Sequence, residues 1–187
     1  MHYIKGSFFL LVFSLFTING FAQTAKAKSD FKWYSWEEMV EAQKVSPKKV
    51  MIDMYTDWCG WCKRMDASTF SDPKIQAYLK ENFYAVKFDA EQKENITYDG
   101  NEFKYVKSGR RGVHELANAL LNGKLSYPSI VYLNEDMQRI VISPGFKDAK
   151  KFMIELSFTK GEHYKTTNFQ QYMKTEMEKS AKTDKSK

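Results

Sequence analysis

Val50 to Tyr55 is a continuous apolar run broken only by Asp53, the pattern of a buried strand. Ahead of it, Ser35-Trp36-Glu37-Glu38 has capping-box spacing and predicts a helix from Trp36 to about Gln43, ended by Pro47 and its lysines. Behind it, a helix is expected from Cys59 to about Ala67. Asp72-Pro73 supplies an N-cap and a proline at the first helical position, opening a helix to about Glu81. Phe83 to Phe88 then reads as a second strand, so the first half is helix, strand, helix, helix, strand, a βαβ unit.

From Asp89 to Pro128 the pattern loosens. Thr97-Tyr98-Asp99-Gly100 predicts a small hairpin, because Asp-Gly favours a tight primed turn, with Phe103 to Val106 as its return arm. Ser108 to Gly112 reads as a loop. Val113, Leu116, Ala117, Leu120 and Leu121 recur at helical spacing, and Asn122-Gly123 ends that helix. Ser129 to Leu133 and Arg139 to Ser143 are strands separated by a connection short enough for an antiparallel hairpin, broken by Pro144-Gly145. Asp148 caps a helix through about Thr159, and Thr167-Asn168-Phe169-Gln170 is a capping box for a C-terminal helix.

The 187 residues suffice for one core of ordinary size. The first residues follow a signal-peptide pattern: His2 and Lys5, an uncharged run from Phe8 to Ile18, then Gly20-Phe21-Ala22, with cleavage expected after Ala22. That run is too short for a comfortable membrane span, so no stable membrane insertion is expected after cleavage. The expectation is an exported, periplasmic protein, soluble once processed. The formal charge of +6 is spread among acidic residues, and much of the visible excess lies in Lys174 to Lys187. Clustered basic residues with interleaved aromatics are missing, so no nucleic-acid partner is expected.

Two cysteines are all the chain has, as Cys59-Gly60-Trp61-Cys62 in the first turn of a predicted helix. A thiolate there faces the positive end of the helix dipole and unpaired N–H groups, which lowers its pKa and favours the nucleophilic form. A second thiol three residues on can close a disulfide, so the pair can cycle and carry two electrons. Zinc would want about four ligands, and His114 and His163 stand alone. An inert structural disulfide in so small a ring would contribute little stability. No bound cofactor or metal is expected.

The order of elements, with Trp58-Cys59-Gly60-Trp61-Cys62-Lys63 after a buried strand, resembles the thioredoxin superfamily, in particular exported bacterial members with an enlarged middle segment. The resemblance implies an α/β thioredoxin fold with a central mixed sheet flanked by helices. It covers a thioredoxin-like domain over 33–160, which follows the expected signal peptide over 1–22 and a polar lead over 23–32. An insertion of about 90–126, about twenty residues longer than a compact thioredoxin has, precedes the proline. A helical extension over 161–178 and a disordered basic tail over 179–187 would follow.

It also implies roles. Asp53, six residues before Cys59, matches the buried carboxylate behind the disulfide, which desolvation makes a proton acceptor near neutral pH, and Lys87 matches the lysine beside it. Tyr127-Pro128 matches the cis-proline that offers substrate a backbone edge, and Gly145 matches the glycine that keeps the nearby surface open. Trp58 is expected to pack beside the disulfide, Gly60 to bear on redox potential, and Trp61 to be partly exposed and touch partners. His114 is expected at the surface or capped, and Arg110 and Arg111 in a solvated loop.

The function implied is thiol-disulfide exchange with exported cysteine-containing proteins, as a reductase or isomerase rather than an oxidase, recharged by a membrane electron donor or acceptor. The competing reading is a client-binding thioredoxin-fold module whose disulfide does not cycle.

Overall fold

The computed structural model describes residue 2 and residues 30–184; the expected signal peptide and polar lead lie almost wholly outside the described residues. Four strands make the central sheet, in the order β2-β1-β7-β8: β1 (Lys49–Tyr55), β2 (Phe83–Asp89), β7 (Ser129–Leu133) and β8 (Arg139–Pro144). β1 runs parallel to β2 and antiparallel to β7, and β7 antiparallel to β8, so the sheet is mixed. Its inner strands, β1 and β7, are the near-continuous apolar runs expected of strands covered on both faces.

Alternation along β1 divides the core in two. Val50, Ile52 and Met54 face a layer that includes α1 (Trp36–Val45) and α4 (Glu115–Leu120), through Trp36, Met39, Leu116, Ala117 and Leu121. Met51 faces the other layer, α2 (Gly60–Ser68), α3 (Pro73–Asn82) and α5 (Ala149–Lys160), through Met65, Ile75, Leu79, Phe152 and Leu156. Asp53 shares the Met51 side, toward α2. The helices start where their caps direct: Ser35 and Glu38 close a capping box, Asp72 accepts from Lys74 and Ile75 N–H groups, and Asp148 accepts from Lys151 N–H.

The segment after β2 departs from expectation. The Asp-Gly turn joins β3 (Ile96–Tyr98) to β4 (Asn101–Phe103), so the return arm is 101–103 and not 103–106. Residues from Tyr105 form a second hairpin, β5 (Tyr105–Ser108) with β6 (Arg111–His114), inside what reads as loop and helix. Val113 fits the helical spacing, yet as a β-branched residue it pairs across the ribbon with Val106. The chain stays extended until His114 caps α4 through its side chain. Gly112 is required here, because a Cβ would collide with the Val106 carbonyl and the Tyr105 ring.

The C-terminal helix α6 (Phe169–Asp184) is capped by Asn168, whose Oδ1 accepts from Gln171 N–H at 2.9 Å, and not by Thr167. It continues past residue 178, so the tail expected to be disordered from 179 is helical through Asp184. Phe158 on α5 holds it through ring contacts with Phe169 and Tyr172. Among the described residues no helix is long and apolar enough to cross a membrane.

Candidate functional site

β1 ends at Tyr55, and a short turn, in which Cys59 N–H donates to the Thr56 carbonyl, delivers the chain to α2. Cys59 is the N-cap of that helix, its Sγ accepting from Cys62 N–H at 3.1 Å, and it is joined to Cys62 by a disulfide. Cys59 is 5% and Cys62 2% exposed, so both cysteines are buried, Cys62 one turn further along the helix. With an apolar strand ahead and the helix dipole behind, a thiolate at Cys59 sits where backbone N–H groups favour negative charge.

Asp53 is 1% exposed on an inner strand, so it is no solvated edge charge. Lys87 is its register partner on β2, and the Lys87 ammonium lies 2.9 Å from Asp53 Oδ2. The same ammonium is bound to Asp66 on α2 and lies over the rings of Trp33, Tyr55 and Phe70. Cys62 and Asp66 are four residues apart and share one face of α2, so the ion triad ties the sheet to the helix face bearing the inner cysteine. Burial pushes the Asp53 carboxyl above the usual carboxylate range, and Lys87 pulls against that shift. Burial works to lower the Lys87 ammonium, yet Asp53 and Asp66 together hold it above the ordinary lysine value. Asp53 Oδ1 has no hydrogen-bond partner among the described residues.

The Tyr127–Pro128 peptide bond is cis, and Gly145 N–H donates to the Pro128 carbonyl at 2.8 Å. Gly145 has φ +86° and a Cβ there would meet nothing within 4 Å. The backbone conformation calls for glycine here, and the space a side chain would occupy is open. At Gly60 too a Cβ would meet nothing within 4 Å. Trp58 is 51% and Trp61 55% exposed. Trp58 stands edge-on to Tyr127, donates from Nε1 to Glu91 at 3.0 Å, and carries the Arg111 guanidinium 4.1 Å from its ring. Arg111 therefore lies on a strand against Trp58, not in a solvated loop. Trp61 leans on Phe146 and lies under Arg64.

Residues 21–183 match the family described as Thioredox_DsbH, protein of unknown function, DUF255. The chain belongs to that family. It is 44% identical over 123 residues to a thiol:disulfide interchange protein DsbD of Photorhabdus laumondii, a match covering 63% of this chain and 18% of that protein. It is 38% identical over 115 residues to the DsbD of Pectobacterium atrosepticum, covering 59% and 16%. The chain thus spans less than a fifth of the length of these curated relatives. Among solved structures it is similar to a thioredoxin-fold protein from Helicobacter pylori, with TM-score 0.54 and 18% identity over 71% of this chain and 86% of that one. A thioredoxin from Thermus thermophilus gives TM-score 0.52 and 19% identity over 71% and 88%. The fold is the thioredoxin fold.

Three features of this Thioredox_DsbH chain escape a sequence reading. Asp66, half-buried on α2, joins Lys87 and the buried Asp53; its signal is the four-residue offset from Cys62. His114 is fully buried, with Nδ1 accepting from Leu116 N–H and Nε2 against the Glu94 carbonyl at 3.0 Å. Burial lowers its pKa below the ordinary histidine value. Lys147 and Glu155 form a second buried pair at 3.9 Å. Lys147 donates to the carbonyls of Ser143 and Gly145, holding the turn that faces Pro128, while Glu155 accepts from Tyr132 and Ser143 hydroxyls.

Proposed function

We propose that this protein is an exported thiol-disulfide oxidoreductase acting on cysteine-containing exported proteins in the reductive or isomerising direction. The observation that carries the reading is the Cys59–Cys62 disulfide at a helix N-terminus, with a buried carboxylate of raised pKa on the strand behind it. Kinship with DsbD-type interchange proteins supports it, and the uncharged run before Ala22 supports export.

In the reductive direction the Cys59 thiolate attacks a substrate disulfide, forms a mixed disulfide and releases one substrate thiolate, which takes a proton from solvent. Cys62 then gives its proton to the Asp53 carboxylate. Its thiolate attacks Cys59 Sγ, closing the Cys59–Cys62 disulfide and releasing the second substrate thiolate, and Asp53 returns the proton. Lys87 moderates the Asp53 pKa and Tyr127-Pro128 offers the docking edge. Two electrons pass to substrate, and a membrane dithiol donor restores the reduced pair.

The test is reduction of a protein disulfide by a small dithiol. Wild type accelerates it, Cys59→Ser abolishes the acceleration, and Cys62→Ser accumulates mixed disulfides. A wild type no faster than Cys59→Ser contradicts the reading. Equilibration against glutathione fixes the direction, with a potential well below the glutathione couple expected.

A further inference from the structure

Each half-exposed tryptophan beside Cys59 carries an arginine. Arg111, from β6, lies 4.1 Å from the Trp58 ring, and Arg64, from α2, lies 5.2 Å from the Trp61 ring and 5.6 Å from that of Phe146. These cation–π contacts restrain two long side chains. A guanidinium held over a ring still has N–H donors to offer, in the fork geometry that receives a carboxylate.

Neither guanidinium is in an ion pair among the described residues, whereas the lysines of the core, Lys49, Lys87 and Lys147, all have carboxylate partners. The local acids are engaged elsewhere: Glu91 accepts from Trp58 Nε1, Asp89 accepts from Glu91 N–H, and Asp66 is bound to Lys87. Asp57, next to Trp58, is exposed and pairs with neither arginine.

The β5–β6 ribbon that presents Arg111 is fixed to the core. His114 N–H donates to the Ala90 carbonyl at 2.8 Å, and the buried imidazole ties Glu94 to the start of α4. The enlarged middle segment thus delivers a cation to Trp58, the residue directly before Cys59.

We propose that Arg111 and Arg64 are a carboxylate-selecting pair about the disulfide, favouring polypeptide substrates that carry acidic side chains on both sides of their cystine. This rests on the exchange reading and names the substrate class for that site.

The experiment uses the full chain and three cystine peptides of one length, flanked by Glu, Gln or Lys, reduced with a small dithiol as electron source. Wild type is expected to prefer Glu over Lys by about tenfold in kcat/KM at low salt, as two partly exposed charge pairs allow. The preference should shrink as salt rises. Arg111→Glu and Arg64→Glu should each lower the Glu-to-Lys ratio about threefold or more, and the double variant should invert it. A merely damaged fold slows all three peptides together and leaves the ratio in place, which would overturn the proposal. Equal rates for the three peptides with wild type would overturn it while leaving exchange intact. Should wild type reduce none of them, the exchange reading fails and this inference falls with it.

Discussion

Two buried carboxylates lie on the same side of the sheet, each with a lysine, and they are built for different ends. Glu155 on α5 is saturated: Tyr132 and Ser143 hydroxyls donate to its two oxygens, and Lys147, itself bound to turn carbonyls, lies 3.9 Å away. Asp53 on β1 has Lys87 at one oxygen and, among the described residues, no hydrogen-bond partner at the other. Burial raises both carboxyls. A saturated carboxylate fixes geometry, and an unsaturated one retains room to take a proton. We propose from this difference that Glu155 holds the turn opposite Pro128 and that Asp53 moves the proton of the exchange reaction.

The largest effect expected from this contrast is on stability. Glu155→Ala leaves Lys147 buried beside only backbone carbonyls and should cost about 3–5 kcal/mol in denaturant unfolding. Asp53→Ala should cost clearly less, since Lys87 keeps Asp66. Equal costs would break the contrast.

Next in size is a kinetic effect. Asp53→Asn should slow resolution of the mixed disulfide by about 100-fold near neutral pH, while Glu155→Gln, if folded, should change it little. The same Asp53 variant has a stability signature. A folded pKa above the ordinary 3.8 means that the stability this group contributes is present below that value and is lost as pH rises through the raised one. Asp53→Asn should therefore gain on wild type as pH rises from about 4, and level off above the raised pKa. A gain on lowering the pH would contradict the assignment.

The smallest expected effect is that of Lys87→Met. Removing the ammonium raises the Asp53 pKa further and should move the lower pH limb of exchange, where Asp53 becomes a carboxylate, by about one unit toward higher pH.

The two regions also differ in how far the sequence displays them. Asp53 interrupts an apolar run six residues before Cys59, so the strand, its burial and the carboxylate are legible together. Glu155 sits between apolar neighbours on α5, three residues after Phe152 and four before Thr159, and that stripe was the available signal. Its partners on β7 and β8 come from different elements, and only folding makes them neighbours. The β5–β6 ribbon was hidden for a related reason: Val113 satisfies a helical period locally, while a cross-strand partner at Val106 and the anchor at Ala90 decide the outcome. Local period is legible in a single chain; which polar groups meet across elements is not.

The central claim is that Asp53 exchanges a proton with the inner cysteine, and the most direct measurement is the carboxyl titration of Asp53 by carbon NMR in the oxidised and the reduced protein. The account predicts that reduction moves the Asp53 titration, because the Cys62 thiol becomes a coupled proton partner, while Glu155 titrates alike in both states. An Asp53 titration indifferent to the state of the disulfide, or one in which Glu155 moves instead, would contradict it.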